Sequence, residues 1–182
     1  MERNIFYQLI PEMIDNSCLL PPPPPLAEDS RGEYDKLLDS IKNSNKIVAI
    51  SDTIYNYTKD ELRRLNLPKE FEIDEIQTYD KKNTINLDSL KVSLNIQIKN
   101  SNKLTGLDEY LKGEGNWSDY PSLKDLKCMM SFSRIIFNKN KSQGFFTFGV
   151  VCGKHCGSGF KVWIKNINGK WFIEKQQSTW VA

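Results

Sequence analysis

The tightest group of side chains able to do chemistry in this 182-residue chain is Cys152-Gly-Lys-His155-Cys156, two sulfurs and the single imidazole within five residues. With Cys128 as a fourth donor it could bind zinc. Zinc knuckles, however, pair their cysteines as C-x2-C, whereas this spacing is C-x3-C with no second pair. A redox dithiol is disfavoured by the same spacing, and no strand-to-helix context follows it. A Cys–His nucleophile is disfavoured because residues so close on one loop seldom hold in-line geometry, and no acid lies nearby to orient the imidazole. The plainer alternative is a disulfide, either Cys152–Cys156 closing the loop or one of them reaching Cys18 or Cys128. Four cysteines allow three pairings, and the sequence does not choose. An even cysteine count fits an oxidising compartment, although four in 182 residues weighs little.

Gly153, Gly157 and Gly159 invite comparison with a phosphate loop, but the pattern G-x4-G-K-[ST] is absent and a strand follows Gly159 rather than a helix. Glycines so placed more often allow positive φ in a tight strand connection. Asp52, Asp60, Glu61 and the other carboxylates form no recognisable pair for acid–base or metal work. No catalytic residue, metal or cofactor is therefore expected, and an enzyme is the less favoured reading.

The elements that position this loop lie mainly in residues 132–182, which hold ten of the twenty aromatics. They read as a four-strand antiparallel meander at about 132–138, 145–152, 160–166 and 170–175. Asn168-Gly169 supplies the two positive-φ residues of a type I′ turn, which sets Ile164 opposite Ile173 and Lys165 opposite Phe172. Phe160, Val162, Ile164, Trp171 and Ile173 then face the core. Lys161, Trp163, Lys165, Phe172 and Glu174 take the other face, with Trp163 opposite Glu174. Two large aromatics among charges there imply that another segment covers part of that face, because exposed apolar patches of this size are uncommon.

Upstream, Ile5, Phe6, Leu9, Ile10, Met13 and Ile14 recur at helical spacing over about 3–15, with Pro11 predicting a kink or two pieces. A proline-rich connector at 21–26 contains five consecutive prolines and reads as a polyproline II rod. A helical stripe covers about 33–43, and Ile47 to Ile50 reads as a buried strand. Thr58 with Glu61 forms a capping box that starts a short helix. Phe71, Ile73 and Ile76 are the expected anchors of a polar stretch. Leu90, Val92, Leu94, Ile96 and Ile98 alternate strictly with polar residues, the pattern of a half-buried strand. A short helix over Leu107–Leu111 closes at Gly113, and aromatics anchor the loop 115–123. The expectation is one α+β domain over 1–182, N-terminal helices on a curved, mainly antiparallel sheet, comparable in layout to cystatin-like or NTF2-like folds.

The formal charge of +2 hides an asymmetry. From Phe132 onward Arg134 and seven lysines face one acid, Glu174, for +7, which leaves −5 on the first 131 residues. A lysine-coated solvated face explains this most simply. Nucleic acid is a disfavoured partner, since the cations are nearly all lysine and the whole chain is close to neutral. No run reaches the roughly 18 apolar residues of a membrane span. The first residues lack the marks of a secretory leader, so the protein is either cytoplasmic or exported after removal of a leader preceding Met1.

The combination Ser133-Arg134-x-x-Phe137-Asn138, Cys152-Gly-x-x-Cys156-Gly-x-Gly159, Gly169-Lys170-Trp171 and Trp180-Val181 resembles a family of uncharacterised bacterial proteins, often exported or of lipoprotein type. The likeness covers chiefly the last 50 or so residues. The family would end in Ser where this chain has Ala182, and it would carry a leader. No activity comes with the resemblance, so no catalytic residue is carried over. It implies that Cys152 and Cys156 belong to a recurring loop, which in an exported protein favours a disulfide. The expected function is a non-enzymatic binding or structural role in the periplasm or cell envelope, with another protein as a possible partner. The alternatives are a cytoplasmic binding or immunity-type module using the face of Lys161, Trp163, Lys165 and Phe172, and a small-ligand pocket protein or enzyme.

Overall fold

The computed structural model describes residues 1–19, 31–71, 83–93, 95–113 and 116–181. The proline run and the anchors Ile73 and Ile76 lie outside these residues. The apolar stripe of the first residues becomes helix α1 (Glu2–Ser17), with Ile5, Phe6, Leu9, Ile10, Met13 and Ile14 all at most 1 % exposed. The helix is continuous through Pro11, so of the two expected outcomes the division into two pieces is not seen. Pro11 is only half-buried, and the apolar residues packed on either side of it hold both halves in one helix. Helix α2 (Arg31–Asn43) follows.

Seven strands form one sheet in the order β4-β1-β5-β7-β8-β9. They are β1 (Lys46–Ile50), β4 (Ile96–Asn100), β5 (Leu126–Phe132), β6 (Ile136–Phe137), β7 (Gln143–Gly153), β8 (Cys156–Ile167) and β9 (Lys170–Val181). Strand β6 pairs further along the β7 edge that β5 occupies. A separate two-strand pair joins β2 (Thr53–Ile54) to β3 (Asn83–Thr84). The protein is α+β and its sheet is mainly antiparallel with a C-terminal meander, as expected. The parallel pairing of β1 with β4 and β5 was not foreseen. Parallel partners are joined by long crossovers, so no local turn signal announces them.

Three expectations need correction. The alternating stretch from Leu90 forms a ladder only from Ile96, where Lys46 at the start of β1 becomes its partner. Before that, a 3-10 turn (Leu87–Ser89) and unpaired backbone carry Leu90 and Val92 into the core. Alternation reported burial, not pairing. The first meander strand, expected over 132–138, is split into β5 and β6. The backbone between them is diverted: Ser133 bridges Tyr55, and the Ile135 N–H donates to Glu2 Oε1 at 2.6 Å. In the last hairpin Asn168 (φ 53°) and Gly169 (φ 84°) make the turn, and Ile164 and Lys165 meet Ile173 and Phe172 as expected. The register then slips, so Trp163 lies opposite Lys175 rather than Glu174. Glu174 pairs instead with Lys165, Nζ to Oε1 at 3.8 Å.

The sheet has two unlike faces. Helix α1 covers one, packing with Val48, Ile50, Met130, Phe132, Phe146, Phe148, Val150, Val162 and Ile164. Phe6 meets Phe132 and Phe146, each at 5.4 Å between ring centroids. Cys18 just beyond the helix bonds Cys128 in β5, with Cα atoms 5.7 Å apart. At the other end of α1 the buried Glu2 carboxylate pairs with Arg134 Nε at 2.9 Å and accepts from Asn83 Nδ2 at 2.5 Å. The opposite face is covered in two places. Tyr110, Trp117 and Leu123 pack over Ala49 and Leu126 at one end. At the other, the segment 57–71 packs Tyr57, Leu62, Leu65 and Phe71 over Ile136, Phe145 and Trp163. That segment contains helix α3 (Lys59–Leu65), begun by the Thr58–Glu61 capping box.

Candidate functional site

Between those two covered patches the sheet face is open, and a groove of about 810 Å³ runs there. Ser131 of β5, Thr147 and Gly149 of β7, and Gly159 and Lys161 of β8 line its sheet side. Tyr55, Tyr57, Glu61, Arg64 and Leu65 line it from the segment that carries α3. Gln177, Ser178, Thr179 and Trp180 of β9 complete it.

A hydroxyl network ties the tyrosines to the sheet. The Thr147 N–H donates to Ser133 Oγ at 2.8 Å, Ser133 Oγ donates to Tyr57 Oη at 2.5 Å, and Tyr57 Oη donates to Thr147 Oγ1 at 3.3 Å. Tyr55 Oη lies 2.7 Å from the same Thr147 oxygen. Burial pushes the Tyr57 phenol well above the ordinary tyrosine range, and it raises Tyr55 as well, despite the hydrogen bonds each receives. Both are neutral hydroxyls at physiological pH. Among the described residues Ser133 has Tyr57, the Thr147 N–H and the Arg134 carbonyl as its partners, and the network ties the tyrosines to the sheet. Glu61 is, among the described residues, the single carboxylate lining the groove, and the Thr58 N–H that holds it at 2.7 Å, with the nearby Arg64 charge, lowers its pKa. Among the described residues neither Arg64 nor Lys161 has an ion-pair partner.

Trp180 owes its position to glycine. A Cβ on Gly159 would collide with the indole Nε1, and one on Gly157 would come within 3.1 Å of Cζ3. The indole thus lies across a strip of β8 that carries no side chains, and it remains 47 % exposed. Here the glycines serve close approach of an aromatic ring rather than a phosphate.

The residues singled out by sequence scatter over several environments. Cys152 is bonded to Cys156, Cα to Cα 5.0 Å, across the β7–β8 turn. With Cys18–Cys128 this leaves no cysteine free. His155 sits exposed at the tip of that turn, outside the groove lining. Lys154 donates to the Gly113 carbonyl and lies over the Tyr110 ring at 5.7 Å, latching the turn to helix α4 (Leu107–Lys112). Lys161 lines the groove. Trp163 packs edge-on against Phe145 at 5.2 Å and under Lys175 at 5.0 Å, so it belongs to the covered patch. Lys165 is exposed in its pair with Glu174, and Phe172 is 41 % exposed beneath Lys170. Tyr55, Tyr57, Arg64, Thr147 and Trp180 were not foreseen as site residues. The one readable signal for them was the pair of small residues on β8 facing an aromatic-bearing edge strand.

Among the described residues no helix is long and apolar enough to cross a membrane, and no three metal-ligating side chains gather. Two disulfides fit an oxidising compartment. No family model, curated protein or solved structure matches the chain.

Proposed function

We propose that this is an exported, non-enzymatic binding protein of the bacterial cell envelope that holds a polar ligand in the groove between α3 and β9. One observation carries the reading: a groove of about 810 Å³ in which a flat, half-exposed indole, Arg64 and Lys161 stand beside a hydroxyl-bearing sheet face, with neither cation in a salt bridge among the described residues. Its volume lies within the roughly 300–1,000 Å³ of ligand pockets. Binding rather than catalysis is the reading that the groups present support. The tyrosines are neutral, the one carboxylate is engaged in a helix cap, and the histidine lies elsewhere. Export is supported by the two disulfides and by the likeness of the Cys152–Gly159 loop to exported bacterial proteins.

Amide chemical-shift mapping with a library of small polar molecules tests the groove. Shifts gathered at Thr147, Gly159, Lys161 and Trp180 are expected, and shifts confined to other surfaces would sink the reading. Thiol counting on the unreduced protein tests export, where four free thiols would remove its main support. A second reading, an immunity-type module that docks a protein, has its own observation in Phe172 and Ile167, 41 % and 50 % exposed at the β8–β9 turn. Phe172→Ser would abolish such docking and leave groove binding intact.

A further inference from the structure

Resting on the groove reading, we propose that the ligand is an acidic saccharide, with a sugar ring stacked on Trp180 and a carboxylate held by Arg64 and Lys161. The indole is backed on one side by the bare backbone of Gly157 and Gly159, which keeps it flat and leaves its other side outward. Tyr55, 38 % exposed, supplies a second aromatic surface in the same groove. Flat apolar rings of this kind suit the C–H face of a pyranose, whose edge hydroxyls then need donors and acceptors. Ser131, Gln177 and Thr179 provide them.

The charge pattern narrows the class further. Among the described residues Arg64 and Lys161 form no salt bridge, and set against the one negative charge of Glu61, which Arg64 partly offsets, they leave the groove with a net charge of +1, so an anionic group is favoured there. Two cations match one or two carboxylates. They are too few to track a polynucleotide backbone, which needs a succession of phosphate contacts. At about 810 Å³ the groove lies toward the upper end of the roughly 300–1,000 Å³ range of ligand pockets, which suits an oligomer better than a single ring.

Trp117 and Trp171 are 7 % and 6 % exposed and Trp163 is half-buried, so quenching of tryptophan emission by a ligand would report chiefly Trp180. Titration with trigalacturonic acid, followed by emission and calorimetry, should give saturable one-to-one binding that weakens with added salt. Its methyl ester, Trp180→Ala and the double variant Arg64→Ala/Lys161→Ala should each bind about tenfold more weakly. The double variant changes only groove side chains and guards against misfolding of the tryptophan variant. Equal binding of acid and ester would overturn the role given to the two cations. A hexaglutamate peptide binding as tightly as the saccharide would overturn the saccharide class in favour of charge alone. No binding of trigalacturonic acid, while library molecules still shift Thr147 and Lys161, would overturn the class and leave the groove reading standing. Loss of both signals would remove the two together.

Discussion

Along β7, Phe146, Phe148 and Val150 point to one side of the sheet and Thr147 and Gly149 to the other, and the two sets have different roles. The first set meets α1 and is sealed from water. Among the described residues the second meets no helix between the two covered patches, and its residues are small or hydroxylic. A sheet face with large apolar side chains must be covered to be stable, whereas a face of glycine, serine and threonine can stay open because it has little apolar area to hide. The sealed face supplies most of the stability, which lets the open face carry polar residues at little energetic risk. Each face also has its own disulfide: Cys18–Cys128 closes a separation of 110 residues against the sealed face, and Cys152–Cys156 closes one of 4 beside the open one.

Breaking the two crosslinks should separate the faces most sharply. Replacing Cys18 and Cys128 by Ser should lower unfolding free energy by about 5 kcal/mol, against about 2 kcal/mol for Cys152 and Cys156, because loop entropy grows with the chain enclosed. Chemical denaturation of both double variants measures this, and equal losses would contradict the assignment. Next in size, Phe6→Ala removes a ring from the centre of the sealed face and should lose about 3–5 kcal/mol without moving groove resonances. Thr147→Val keeps the side-chain shape but removes the oxygen shared by Tyr55 and Tyr57, for a loss of about 1–2 kcal/mol. Its effect should appear on the open side, as altered Tyr55 and Tyr57 resonances with the α1 core unchanged.

The smallest effect belongs to neither face. Asp52 follows β1 and accepts from Asn100 Nδ2 at 2.6 Å and Asn102 Nδ2 at 2.8 Å, tying the ends of β1 and β4. Burial alone would raise its pKa, but the hydrogen bonds from Asn102, Asn100 and Thr53 outweigh this and hold it below the ordinary 3.8. A lowered folded-state value means its contribution is complete above the unfolded value near 3.9 and fades as pH falls through the folded one. Because the group is only partly buried and solvent screens it, the contribution should stay under about 1 kcal/mol. Stability curves of wild type and Asp52→Asn should therefore converge on acidification, and curves parallel from pH 7 to 3 would remove Asp52 from the account.

Much of the local framework was legible in the chain. The α1 stripe, the buried β1 run, the Thr58 cap and the Asn168-Gly169 turn all follow from local periodicity or local hydrogen bonding. The same local reasoning misplaced the ladder near Leu90 and the partner of Trp163. Both depend on where another strand starts or slips, and periodicity within one segment does not carry that. The groove was less legible still. Thr147 and Gly149 look unremarkable in sequence, and Tyr55, Arg64 and Trp180 are separated by up to 125 residues.

Local sequence alone determined which residues form helices and turns and which side of each meander strand is apolar, because those choices rest on spacings of two to four residues. Only the tertiary structure decided the parallel edge of the sheet, the cysteine pairing and the open interval between α3 and β9. Each of these is a relation between distant segments, set by how α1 and the 57–71 segment divide the two faces between them. The Cys152–Cys156 loop that looked most chemical is a crosslink, and the proposed binding surface lies instead around the bare glycines beneath Trp180.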